Sequence, residues 1–114
     1  MMTIPMISFD DFLKVDMRVG KILTAVAFEK ARKLAFQLTI DFGELGVKRS
    51  SAQIAANYTA ETLIGQHVIA VVNFPVKQIA NFFSEVLVLG VTDANGNIVL
   101  LQPNQDVPLG AKVS

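Results

Sequence analysis

The chain has 114 residues, 52% of them hydrophobic, with no cysteine, one histidine, and ten basic residues balanced by ten acidic ones. That length suits a single domain, 1–114, with one ordinary core. The lack of cysteine excludes disulfides and thiolate metal sites, and the zero formal charge argues against indiscriminate polyanion binding.

Ser8-Phe9-Asp10-Asp11 has the form of a capping box and predicts a short helix from Phe9 to about Val15. Met1 to Phe12 carries no basic stretch ahead of an apolar block, so no secretory signal is expected and cytoplasm is the expected compartment. Met17 to Phe28 reads as a strand, with Gly20 inside it marking a bulge or sharp bend. Phe36 to Phe42 gives the cleanest pattern: Phe36, Leu38, Ile40 and Phe42 face one side, and Gln37, Thr39 and Asp41 the other. Gly43 to Gly46 is a turn into a strand at Val47 to Ala52. The Ala-rich segment Gln53 to Tyr58 predicts one or two helical turns, and Thr59 to Gly65 a second, ended by Gly65.

Val68 to Val72 and Val86 to Val91 are apolar on both faces, as happens when neither face meets water. Both are shorter than a membrane span, so no membrane insertion is expected. A small closed barrel has one inside, so the second face needs a cover, from the short helices or another subunit. A homodimer is therefore expected, with a C-terminal extension supplying part of the contact through Leu101, Val107 and Leu109. Asn95-Gly96 is a hairpin signal joining Val86 to Val91 with Ile98 to Leu101. Short strands, a helical insert after the third and frequent turns describe a mainly β, five-stranded OB-type barrel, with an SH3-like barrel as the rival.

Chemistry is sparse. Ser50 or Ser51 with Asp41 and His67 is the only conceivable hydrolase set. No nucleophile-elbow glycine pattern surrounds either serine, and His67 reads as structural. With one histidine and no cysteine only oxygen ligands remain for a metal. No catalytic residue, metal or cofactor is expected.

The positive charge is uneven. Between Phe28 and Gln78 the net charge is +2 and beyond Gln78 it is −2, which on charge alone reads as ordinary scatter of a solvated surface, or else as a cluster with Lys33, Lys48, Arg49 and Lys77 as candidate phosphate contacts. Phe82 and Phe83 must point to opposite faces of a strand, so at most one is core. An exposed aromatic beside a basic groove is a stacking platform for unpaired bases, contributing about 1–3 kcal/mol each; the alternative is a dimer contact.

Ser50-Ser51-Ala52-Gln53, Asn73-Phe74-Pro75 and Ser84-Glu85-Val86-Leu87-Val88-Leu89-Gly90 occur in the order and at the spacing of one family. Across Phe9 to the C-terminus the chain resembles the CsaA-type branch of the tRNA-binding-domain family, an OB-fold also appended to some methionyl-tRNA synthetases. The resemblance implies a non-catalytic protein that binds tRNA by shape, phosphate contacts and a few unpaired bases. It places Ser84, Glu85 and Leu87 on the RNA-facing surface, makes Asn73 a base-contacting amide, and matches Lys33, Lys48, Ser50 and Ser51. Read without the family, Asn73-Phe74-Pro75 is also a strand terminator. The second functional reading is a peptide-binding, export-related chaperone, supported by the apolar excess and neutral charge.

Overall fold

The computed structural model describes residues 3–30 and 33–114, apart from the side chains at 29, 30, 33 and 34. Ser8 caps α1 (Phe9–Leu13) as its sequence predicts: its hydroxyl accepts the Asp11 N–H at 3.1 Å and its own N–H donates to the Asp11 carboxylate at 3.2 Å. This helix ends short of Val15 and buries none of its residues.

β1 (Met17–Lys30) is long enough to serve two neighbours. Its first half pairs with β4 (His67–Val71), and its second half with β2 (Lys33–Asp41), antiparallel in both cases. The ladder with β2 slips between Ile22 and Thr24, so the expected bulge lies beyond Gly20. Gly20 does a different job. A Cβ there would stand 2.5 Å from Ile40 Cγ2 and 2.7 Å from the Phe42 ring, so the residue is small because the core presses against it. Phe36, Leu38, Ile40 and Phe42 are all buried, in agreement with their alternation.

A 3₁₀ turn (Gly43–Leu45) leads into β3 (Val47–Ala52), which pairs with β2. The Ala-rich stretch after it forms turns but no helix. Tertiary bonds hold it instead: Asn57 donates to Asp93 and to the Ile98 carbonyl, and the Tyr58 hydroxyl accepts the Leu100 N–H. α2 (Ala60–Leu63) follows, capped by Thr59, and drives the fully buried Leu63 into the core.

After β4 the chain makes a small hairpin of β5 (Lys77–Ile79) and β6 (Phe82–Ser84), then β7 (Leu87–Val88). The sheet order β3–β2–β1–β4–β7 brings the first and last strands together into a nearly closed five-stranded OB-type barrel. The apolar run from Val86 to Val91 is not one strand. It divides into β7 and β8 (Gly90–Thr92), and β8 leaves the barrel to pair with β9 (Ile98–Leu100). The Asn95-Gly96 hairpin is present, organised by an Asp93 carboxylate oxygen that accepts the N–H groups of Asn95 and Asn97 at 2.9 and 3.0 Å.

The C-terminal segment packs on its own chain. Gly110 and Val113 donate backbone bonds to Val19 and Met17, and Val19 donates to Ala111, so the segment extends the free edge of β1. Arg18 secures it, donating to the Gly110 carbonyl at 3.0 Å while its Nε bonds Asp16 at 2.6 Å. β4 also finds its cover within the chain: Val68, Ala70 and Val71 are buried and Ile69 is half-buried. The tail and β4 therefore call for no second subunit, whereas Leu87 and Val91 of the second apolar run stay exposed.

Candidate nucleic-acid interface

The barrel closes differently at its last seam. Among the described residues β3 and β7 share no paired ladder. Glu85 N–H donates to the Arg49 carbonyl at 2.8 Å, Arg49 N–H donates back to the Glu85 carboxylate at 3.1 Å, and Ser51 N–H donates to the Ser84 hydroxyl at 3.1 Å. Ser50 completes the stitching, its hydroxyl donating to the Val86 carbonyl at 3.0 Å. Side chains thus finish what backbone pairing begins.

Beside this seam lies an open cleft of about 370 Å³. Ser51 forms its β3 side, Ser84, Glu85, Val86 and Leu87 its floor and far wall, and Phe74, Pro75, Lys77 and Ile79 its rim. The register of the β5–β6 hairpin explains the selection. Lys77 pairs with Ser84 and Ile79 with Phe82, so these four share one face, while Gln78 and Phe83 share the other. Phe82 is half-buried beneath the Arg49 guanidinium, whose carbon lies 5.6 Å from the ring centroid, and Arg49 Nε is 3.5 Å from the Glu85 carboxylate. Arg49 is held between an aromatic face and a carboxylate, at the cleft wall. Lys77 forms no ion pair among the described residues.

The sequence candidates separate on this geometry. Ser51, Lys77, Ser84, Glu85 and Leu87 line the cleft, with Arg49 and Phe82 adjoining it. Ser50 does not belong: it is fully buried and its hydroxyl is spent on Val86, which corrects its expected role as a surface contact. Lys48 follows the same inward face of β3 as Ser50 and so lies across the strand from Arg49 and Ser51. Asn73 sits just outside. Its Oδ1 accepts the Asp16 N–H at 3.0 Å and its Nδ2 donates to the Lys14 carbonyl at 2.7 Å, joining the ends of α1 and β4. Lys33 opens β2, and its side chain lies outside the described residues.

Phe74, Pro75 and Ile79 line the cleft without having been singled out as contacts. For Ile79 the signal is the hairpin register, which puts it with Lys77; for Phe74 and Pro75 it is their place in the Asn73-Phe74-Pro75 motif. A second, apolar hollow of about 360 Å³ continues from the first, sharing Ser51 and Leu87 and reaching Ile54, Val88 and Ile98. The hydrolase set does not assemble: Asp41 caps the turn at Gly43, and no imidazole–serine bond occurs among the described residues.

Residues 17–112 match the family model described as "Putative tRNA binding domain". The chain belongs to the tRNA-binding-domain family. Within that family it is similar to the CsaA chaperone of Bacillus anthracis strain Ames, with 55% identity, a TM-score of 0.91, and coverage of 96% of this chain and 100% of that one. The CsaA chaperone of Picrophilus torridus is 51% identical with a TM-score of 0.87, over 96% of this chain and all of its own. The methionine–tRNA ligase of Pelodictyon phaeoclathratiforme is 38% identical over 109 residues, which is 96% of this chain and 15% of that protein. The chain thus spans about 15% of the length of the ligases it matches. Family membership makes this barrel a tRNA-binding module of CsaA type. No helix among the described residues is long and apolar enough to cross a membrane.

Proposed function

We propose that the chain acts as one non-catalytic domain that holds tRNA across the β3–β7 seam, without transforming it. The observation that carries this is the convergence of Arg49, Ser51, Lys77, Phe82, Ser84, Glu85 and Leu87, drawn from four strands and one connecting segment, on one cleft. Lys77 and Arg49 face phosphates, Phe82 and Leu87 offer apolar surface to exposed bases, and the serines supply hydroxyls. Lys48 and Lys33 serve a ligand that continues past the cleft, and Asn73 acts first as the pin behind it. Cytoplasm is the compartment in which such a protein meets tRNA.

A homodimer remains part of the reading, on the exposed Leu87 and Val91 of the second apolar run and on a further apolar patch. Ile4, Met6, Ile7, Phe9 and Leu13 are all exposed, Met6 at 95% and Phe9 at 71%, within one short N-terminal stretch. Apolar exposure on that scale marks an association surface. The chaperone reading keeps a specific support: the two similar CsaA proteins are described as chaperones, and the cleft exposes Phe74 and Leu87. Titration of purified tRNA over a range of salt concentrations tests the proposal. Lys77→Ala should reduce the magnitude of the salt slope by about one unit or less. Strong binding of unfolded apolar peptide with no tRNA binding would favour the chaperone.

A further inference from the structure

The cleft carries more information than its charge. Its wall holds one carboxylate, fixed in place: Glu85 Oε1 accepts the Arg49 N–H at 3.1 Å with Arg49 Nε 3.5 Å away, and the side chain is 29% exposed. Oε2 has no hydrogen-bond partner among the described residues, and neither does the Ser51 hydroxyl. The Ser84 hydroxyl is engaged with the Ser51 N–H and the Val86 carbonyl, which leaves the Lys77 ammonium on the rim. Phe74 and Leu87 supply apolar walls, and the volume of about 370 Å³ falls at the small end of ligand pockets, which run from about 300 to 1,000 Å³.

An occupant complementary to this set has a flat apolar body, N–H donors directed at Glu85, and an anion directed at Lys77. A nucleotide of single-stranded RNA meets all three requirements, and the carboxylate chooses among the bases. An ionised carboxylate only accepts hydrogen bonds. On its Watson–Crick edge guanine sets the N1–H beside the exocyclic amine, two adjacent donors. Adenine and cytosine set a lone pair beside their one amino group, and uracil flanks its single N–H with two carbonyl oxygens. Each of those lone pairs would face the Glu85 oxygen and be repelled.

We propose that this cleft is a base pocket selective for an unpaired guanine, with Glu85 as the discriminating residue and Arg49 as its positioning partner. The proposal rests on the RNA-binding reading and deepens it. The Ser51 hydroxyl donates to guanine O6, and the nucleotide's phosphate lies toward Lys77.

Short oligouridylates carrying one central guanosine, inosine, adenosine or cytidine test it, titrated into the full chain by fluorescence anisotropy beside total tRNA. The guanosine strand should bind about tenfold or more tighter than the adenosine and cytidine strands. Inosine, which keeps N1–H and lacks the amine, should fall between. Glu85→Gln retains an oxygen for the Arg49 N–H, so a melting curve near wild type is expected, with the guanosine preference largely abolished. Lys77→Ala should weaken all four strands alike and keep the preference. Equal binding of the four strands by a protein that still binds tRNA overturns the guanine pocket and leaves the RNA reading standing. Failure to bind either the strands or tRNA overturns both. A guanosine preference that survives Glu85→Gln also overturns the role given to Glu85.

Discussion

The β1–β2 side of the barrel and the β3–β7 side hold together by different means. The first is a backbone ladder that runs from Lys21 opposite Asp41 to Lys30 opposite Lys33, backed by the fully buried Ile22, Leu38 and Ile40. The second is closed by Ser50, Ser51, Ser84, Glu85 and two backbone donors to the Arg49 carbonyl. Backbone pairing leaves side chains free to pack. Side-chain closure leaves backbone apart and polar groups facing a cleft, which is where a ligand can enter. Stability and binding should therefore be separable on the first side and entangled on the second.

The largest effect should come from the ladder side. Leu38→Ala removes a fully buried side chain and should cost about 2–5 kcal/mol in a denaturant titration. The tRNA affinity of the protein that remains folded should not change. A loss of affinity equal to the loss of stability would erase the distinction between the two sides.

Ser50→Ala strikes the seam from inside. It leaves the Val86 carbonyl short of its 3.0 Å donor and should cost about 1–3 kcal/mol. Because Ser50 is buried, the melting temperature should drop more than the affinity does.

Ala80 sharpens the comparison at the cleft's own hairpin. Among the described residues it is the non-glycine one with positive φ, at +55°, at the first central position of a two-residue loop that favours glycine. Ala80→Gly should stabilise by up to about 1 kcal/mol, since relief of the left-handed strain exceeds the added freedom of the unfolded chain. A melting curve checks the sign.

The smallest effect is in acid. The Arg18 guanidinium bonded to Asp16 holds that carboxyl below its ordinary value of 3.8. The Asn97 N–H, with help from the Asn57 amide, does the same for Asp93. Stability from either group is fully present above the ordinary value and is lost as pH falls through the lower folded one. The difference in melting temperature between wild type and Asp93→Asn should be constant above about pH 5 and shrink below it. A difference that grows on acidification would contradict this.

Much of the fold was legible. The capping box at Ser8, the alternation from Phe36 to Phe42 and the Asn95-Gly96 turn each specify their element through contacts a few residues apart. The helical expectation for Gln53 to Tyr58 failed because Asn57 and Tyr58 are tied to residues about forty positions away, which no local pattern reports. Gly20 reads alike as a bulge or a packing gap, and only Ile40 and Phe42 above it decide. The family resemblance named segments that meet at one cleft but could not sort their residues. Lys48, Arg49, Ser50 and Ser51 are adjacent in sequence, and strand alternation sends the first and third to one face and the others to the opposite one.

That alternation supplies the most direct test of the seam as the tRNA surface. Lys77→Glu, inside the cleft, and Lys48→Glu, on the other face of β3, change charge equally. Each would be titrated with the same tRNA at several salt concentrations, beside Lys112→Glu as a control. Lys77→Glu should lose affinity markedly and show a shallower salt dependence, Lys48→Glu should lose less, and Lys112→Glu should change little. Equal losses at Lys77 and Lys48, or a larger one at Lys48, would contradict the seam as the tRNA surface.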